Sequence, residues 1–532
     1  MKTMNTVILL VTLISLVPVY AHETTTPSVN IHLAALQGNV DAIKEHIAAG
    51  LDLNEKDAFG STPLIIAITF GKTEVAKALI EAGADLDIKS NDGSAPIHIA
   101  TFLGRTEIVQ ALLDKGANKL RRDFAGSTPL DIVALPFEFD KDIYDGLAAA
   151  LGPLGLVLDY DHIASTRPVI AEMLRPGAEE LESVDYTPLP GEGWKVSTPE
   201  EQGLDPALVA ELYLDAAEME KLYGLLIVKN DHLVAEGYFN EGSVDQKALL
   251  QSVGKSYTSA LTGIALEQGY LSGVDQKMMD FFPELAGKIT DPRKKQITIR
   301  DMLQMRAGYP WEETSPELFD TLYNGFRPSH LVDFTLKGDP GTDFAYSNLT
   351  SHLLAIIVAR ASGKDFKSYA QVNLFSPLGV EVGEPWWQDW EGYYTGHGGV
   401  RFTLRDAAKF GLLYLNDGEY AGVQIISSDW VGNSLKTYSE NVSSGAPQSG
   451  RIGRYFYDIG YGYQWWSARV GDHDINYAAG HGGQLIILSE ELDMVMVVTS
   501  DPFLGQHDSQ AWKYEQANFN LVGKFIKFLQ KE

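Results

Sequence analysis

A serine and a lysine three positions apart, Ser252 and Lys255 in SVGKSYTSALTGIALEQGY, are the residues of this chain best placed for covalent chemistry. Val253, Tyr257, Ala260, Leu261 and Ile264 keep helical spacing and Gly269 ends the run, so the pair opens a predicted helix. Residues i and i+3 share a helix face, which brings Ser252 Oγ and Lys255 Nζ together. A serine needs a base to become a nucleophile. Lysine can serve once burial and the positive helix end lower its pKa from about 10.4. The free N–H groups of the same helix end can hold a developing oxyanion. Taken alone, S-x-x-K is short enough to arise by chance in 532 residues, and a surface Ser and Lys would look the same.

Composition removes most competing chemistries. The chain has no cysteine, which excludes thiol nucleophiles, disulfides, zinc ribbons and iron–sulfur sites. It has no G-x-S-x-G elbow and no H-E-x-x-H or comparable ligand spacing, so no metal and no cofactor are expected. Gly254-Lys255-Ser256 imitates the end of a phosphate-binding loop, but Leu249 stands where its first glycine must be. Asp and Glu number 71 against 42 Lys and Arg, a formal charge of −29, which argues against nucleic acid and anionic membranes as partners.

Two later patterns give the serine and lysine a context. Tyr346-Ser347-Asn348 lies in PGTDFAYSNLTSHLLAIIVARASG, after a Pro-Gly turn and before a long apolar helix. His481-Gly482-Gly483 leads into QLIILSEELDMVMVVTS, a hairpin of β-branched and large apolar residues. With these, residues 194–532 resemble the serine β-lactamase/penicillin-binding superfamily, in particular class C β-lactamases and the related esterases and 6-aminohexanoate-dimer hydrolases. That family orders its elements as S-x-x-K, Y-x-N, then K-T-G or H-x-G on a strand. Two other Y-x-N matches fit worse: Tyr238-Phe239-Asn240 precedes the serine on a predicted strand, and Tyr414-Leu415-Asn416 closes an amphipathic helix. A second GHGG, at His397, leads into a turn and the helix 404–415, so His397 is expected to be a turn residue near the site.

The resemblance implies roles. Ser252 would form an acyl-enzyme, Lys255 and Tyr346 would share the proton work in an order left open, and Tyr346 would activate the deacylating water. Asn348 would hydrogen-bond the substrate amide or Lys255. The backbone N–H groups of Ser252 and Gln484 would form the oxyanion hole, and His481 would face the substrate where β-lactamases carry a lysine. An imidazole of unperturbed pKa is only about a quarter charged at pH 7. Losing a charge-assisted bond there costs roughly 1.5–3 kcal/mol of carboxylate recognition, so ester or amide cleavage is expected ahead of β-lactam or D-Ala-D-Ala hydrolysis. Trp386, Trp387, Trp390, Trp465 and Trp466 either wall an acyl pocket or pack the core.

The elements that must position these residues follow. Residues 205–221 read as a helix, and LLIVKN and HLVAEGYF flank Asp231 as a β-hairpin. Upstream, GSTPLIIA (60–67), GSAPIHIA (93–100) and GSTPLDIV (126–133) recur every 33 residues, with an earlier copy at IHLAALQG (31–38). This resembles the ankyrin repeat, T-P-L-H-x-A at a 33-residue period. Thr62 caps a first helix with Pro63 in its first turn, and Val75, Ala76, Leu79 and Ile80 of the second face the stack. Such modules bind other proteins; the alternative is packing against the rest of the chain. Residues 7–17 form an apolar run too short to span a bilayer, followed by Val19-Tyr20-Ala21, the pattern of a removable export signal.

The expected organisation is a signal (1–21), ankyrin repeats (28–135), a helical cap and linker (136–193) and a serine hydrolase (194–532). The expected fold class is α+β: a helical solenoid, then an antiparallel sheet flanked by helices with an all-α subdomain. A periplasmic or secreted bacterial enzyme is expected, without a stable membrane anchor, acting on a small ester, amide or peptide and carrying an ankyrin face for a protein partner. The competing expectations are an interaction protein with a catalytically idle domain, and a β-lactamase or D-Ala-D-Ala peptidase.

Overall fold

The computed structural model describes residues 27, 29–191, 193–442, 452–503 and 512–530; the expected export signal lies outside them. The chain divides into two compact units, Met1–Glu180 and Leu181–Glu532. Among the described residues no helix is long and apolar enough to cross a membrane.

The first unit is a stack of helix pairs: Ile31–Gln37 with Val40–Ala48, Pro63–Thr69 with Thr73–Glu81, and Pro96–Phe102 with Thr106–Asp114. Pro129–Ala134, Phe137–Leu151 and Tyr160–Leu174 close it. Local chemistry sets the period. Thr62 Oγ1 accepts the Ile65 N–H and Thr128 Oγ1 that of Asp131. The middle copy has Ala95 at this position, so His98 takes over: its Nδ1 accepts the Ala95 N–H while Nε2 reaches the Ser127 carbonyl of the next repeat. Burial holds that imidazole below its usual pKa, in the neutral form this bridge requires. Val75, Ala76, Leu79 and Ile80 are buried in a core shared by all the repeats. Ile170 and Leu174 of the last helix join that core. Arg167 beside them pairs with buried Asp140 at 3.0 Å and donates to the Ile132 and Leu135 carbonyls left open at the end of Pro129–Ala134.

In the second unit, β1 (Leu222–Lys229) and β2 (His232–Tyr238) form a hairpin whose tip, Asn230-Asp231, has φ of 50° and 60°. Two successive left-handed residues match the twist of the strands. Two short pairs follow, β3 (Ala248–Leu249) with β4 (Arg401–Phe402), and β5 (Glu419–Tyr420) with β6 (Val423–Gln424). The C-terminal strands are β7 (Phe456–Tyr461), β8 (Trp466–Val470), β9 (His473–Gly480), β10 (Gln484–Ser489) and β11 (Met494–Ser500). Among the described residues they build one seven-stranded sheet, β2-β1-β11-β10-β9-β8-β7, and every pair is antiparallel. Helices Pro206–Ala217 and Trp512–Phe528 are tied together by Lys524, which bonds Glu211 at 3.0 Å and also Asp215. Between β3 and β4 runs the helical subdomain, centred on Gly254–Glu267 and Asn348–Ser362, both buried over most of their length.

The boundary between units falls earlier than the expected 193/194. Residues from Leu181 belong with the sheet because they lie along β2. Tyr186 O accepts the Glu236 N–H, Lys195 O that of Leu233, and Val196 bridges Leu233 in parallel. Arg405 holds this strap from behind, donating to the Leu189 carbonyl and bidentately, at 2.7 and 2.6 Å, to the buried Glu236 carboxylate. A segment rich in Pro and Gly reads as free linker because its partners are distant in sequence.

Candidate active site

Ser252 sits in a single 3-10 turn, Gln251–Val253, that feeds directly into the helix Gly254–Glu267. Gln251 is held at φ 50°, a left-handed conformation costly for a side-chain-bearing residue, and its amide is pinned to the Pro502 carbonyl at 3.1 Å. Such strain persists only where the surroundings over-determine it. Two close approaches do so. A Cβ on Gly480, the last residue of β9, would lie 2.2 Å from Leu250 O and 3.1 Å from Ser252 N. A Cβ on Gly254 would lie 3.0 Å from Gly398 Cα. The turn is thus clamped between the end of a central strand and the loop 396–399.

One helical turn on, Lys255 is buried and its Nζ makes three contacts: Ser252 Oγ at 2.8 Å, Asn348 Oδ1 at 2.7 Å and the His397 carbonyl at 3.1 Å. Burial lowers its pKa to about 7, against the opposing charges of Glu313 and Glu312. The three oxygens match the three donors of the ammonium. Loss of one proton, which the lowered pKa permits, leaves two N–H bonds for Asn348 and His397 and turns the lone pair to the serine hydroxyl. Nζ also lies 4.8 Å from the centroid of the Tyr346 ring. That ring is itself stacked on Trp466 at 5.6 Å and met edge-on by Tyr461.

Tyr346 and Asn348 reach Lys255 because a buried carboxylate holds the turn between them. Glu312 accepts from Ser347 Oγ at 2.6 Å and from the N–H groups of Asn348 and Leu349 at 2.9 and 3.1 Å. These are the open donors at the start of Asn348–Ser362. Asn348 Nδ2 is buried with no partner, a donor left over at the site. The helices are stapled by Gln464: its carbonyl accepts from Ser256 Oγ, its side-chain oxygen from Ser351 Oγ, and its amide donates to Met302 O and Leu303 O.

The structure brings together Ser252, Lys255, Tyr346 and Asn348, four of the residues expected from sequence. It also relocates others. Gln484 is fully buried opposite Gly480 in the β9–β10 ladder, and its side chain is engaged with Ser500 inside the sheet. The strand residue that meets the Ser252 amide is Gly480, and the Gln484 side chain is turned away from the nucleophile into the sheet. His481 follows Gly480 but is not an open anion anchor: its Nδ1 lies 2.5 Å from Oε1 of buried Glu515, which also accepts the Gly482 N–H at 3.0 Å. His397 contributes its carbonyl; its ring is buried against Tyr323 and His352, and burial keeps it neutral. Trp386, Trp465 and Trp466 are core, Trp387 is half-buried, and Trp390 is 67% exposed. Neither rejected Y-x-N approaches Lys255. Tyr238 donates to Glu236, Asn240 to the Met219 and Leu222 carbonyls, and Tyr414 packs on Trp465.

The Beta-lactamase family model matches residues 218–521, more than half of the chain. The chain belongs to the beta-lactamase family. Residues 31–123 match the model for ankyrin repeats in three copies, so an ankyrin region is fused to a serine hydrolase fold of beta-lactamase and penicillin-binding type. A 6-aminohexanoate-dimer hydrolase of Paenarthrobacter ureafaciens is 27% identical over 318 residues, 56% of this chain and 76% of that protein. Among solved structures, the octameric penicillin-binding protein homologue of Pyrococcus abyssi is 19% identical with TM-score 0.43, covering 55% of this chain and 72% of its own. Simvastatin synthase of Aspergillus terreus, in a mutant form, is 15% identical with TM-score 0.46, covering 60% of this chain and 98% of its own.

Proposed function

We propose that this protein cleaves a small ester or amide through a Ser252 acyl-enzyme. The observation that carries the reading is the buried Lys255 amine, 2.8 Å from Ser252 Oγ with its other two positions filled by Asn348 and His397. Lys255 takes the serine proton as Oγ attacks the acyl carbon, so it is the base of acylation. Tyr346, beside Nζ, passes a proton to the leaving group and then activates the deacylating water. The oxyanion is held by the N–H of Ser252 and, in place of Gln484, that of His481, the residue after the glycine packed on Ser252. Asn348 Nδ2, unpartnered, offers a bond to a substrate carbonyl.

Selection against carboxylate-bearing substrates follows from charge. The position facing a β-lactam carboxylate is occupied by an imidazole already drawn to Glu515, and Glu312 and Glu313 add negative potential at Lys255. Esters and neutral amides are therefore favoured over penicillins. The similarity to a 6-aminohexanoate-dimer hydrolase supports an amide among the substrates. Export to the periplasm, and docking of a protein partner by the ankyrin face, complete the proposal.

The test is labelling with a fluorophosphonate and a fluorescent penicillin, with turnover of short esters alongside. The wild type is expected to take up fluorophosphonate and hydrolyse esters, Ser252→Ala to do neither, and penicillin turnover to be slower than ester turnover. A wild type inert to both reagents and to esters would mark the domain as an idle scaffold.

A further inference from the structure

Glu312 is the buried group of the site that acylation does not use directly. A helix start needs no charge: Ser347 Oγ already caps Asn348–Ser362 by accepting the Thr350 N–H at 3.1 Å. Glu312 adds a second cap over the same turn, through the Ser347 hydroxyl and the amides of Asn348 and Leu349. Burying a carboxylate is expensive unless hydrogen bonds and a facing cation compensate. The hydrogen bonds are these three. The facing cation is the protonated form of Lys255, which is joined to Glu312 through a single residue: Asn348 donates its N–H to the carboxylate and accepts from Lys255 Nζ at its Oδ1.

We propose that Glu312 is a positioning residue for the reaction: it hangs the Tyr346-Ser347-Asn348 turn in register with Lys255 and tunes that lysine by its charge. The inference rests on the serine hydrolase reading above. The groups facing Lys255 are few, and Tyr346, its ring centroid 4.8 Å from Nζ, is one of them. Glu313 on the same turn adds a second negative charge, of larger influence than that of Glu312. From the helix Pro316–Asn324, Tyr323 is kept in its neutral phenol form by burial and by both carboxylates. From the loop 396–399, His397 is neutral. Glu312 and Glu313 therefore oppose the burial that drives Lys255 toward the free amine. Without Glu312 the amine forms at lower pH, but Asn348 and Tyr346 lose their common anchor.

The experiment is the pH profile of kcat for an ester, measured on the full chain and on Glu312→Gln and Glu312→Asp, with fluorophosphonate labelling of each. Glu312→Gln keeps the shape and removes the charge. It should lower the plateau by about ten- to a hundredfold, as expected for loss of a charge-assisted bond, and move the acid limb to lower pH. Glu312→Asp keeps the charge at shorter reach, so it should lower the plateau with the limb near its wild-type position. A lower plateau with an unmoved limb in Glu312→Gln would reduce Glu312 to an ordinary structural cap and overturn the proposal. So would a limb displaced equally in both variants, or a Glu312→Gln profile identical to wild type. A wild type that neither labels nor turns over ester refutes the hydrolase reading itself, and the proposal falls with it.

Discussion

The lysine is the residue on which the chemistry turns. Lys255 is stripped of water, and burial outweighs the nearby carboxylates, so its pKa falls to about 7. The reactive form is the free amine, which is populated above that pH and lost as pH falls through it. Ester kcat/KM should therefore rise with pH along a limb centred near 7 and drop about tenfold per unit below it. Lys255→Arg, which cannot deprotonate, should abolish the limb together with the activity; stopped-flow or colorimetric ester assays across pH 5–9 would show it. This pair was legible in the sequence because its contact is local: three positions on a helix put Nζ beside Oγ. Glu312 and Glu515 were not legible. Each binds groups more than thirty positions away, Ser347 and His481, and an isolated Glu has no pattern to announce it. The His397 carbonyl was invisible for another reason, since a backbone oxygen carries no residue identity.

At the scale of elements, the site depends on how closely β9 and the loop 396–399 press on the turn before the nucleophile helix. Gly480→Ala would put a methyl group 2.2 Å from a backbone oxygen that has no freedom to move aside. Overpacking of this kind costs about 1–3 kcal/mol. Displacing the oxyanion donors beside it should lower ester turnover by about a hundredfold or more. Kinetics and thermal melts on the purified variant would read both effects; near-wild-type turnover would show that β9 has slack. The ion pair behind the strap is a second element-scale dependency. Arg405→Ala leaves the Glu236 carboxylate buried and unpaired, a loss of about 3–5 kcal/mol in urea unfolding of the hydrolase unit. Sequence placed the hairpin, the repeat helices and the nucleophile helix well because each is set by local periodicity and turn chemistry. The choice of Gln484 as an oxyanion donor is the kind that sequence specifies poorly, because a one-residue step along a strand decides whether an N–H faces the substrate or the sheet. Sequence missed the Gln464 staple, whose four partners are spread over three separate elements.

On the scale of the whole molecule, the chain divides into two compact units, and each has an apolar core of its own. The repeat period made the first legible from sequence. The boundary was not, because the strap from Leu181 onward belongs with the sheet through hydrogen bonds to β2 and not through any motif. That strap has a consequence for solution behaviour. β2 ends the order of the sheet, and an uncovered outer strand is a template on which another chain can add. The Tyr186 and Lys195 carbonyls accept from its Glu236 and Leu233 N–H groups, and the Ser197 N–H donates to its Leu233 carbonyl. A hydrolase unit begun at Leu181 should therefore stay dispersed, whereas one begun after Ser197 should associate edge to edge, a difference that light scattering at increasing concentration would register. A stretch of chain with the look of a spacer thus works as a guard against self-association.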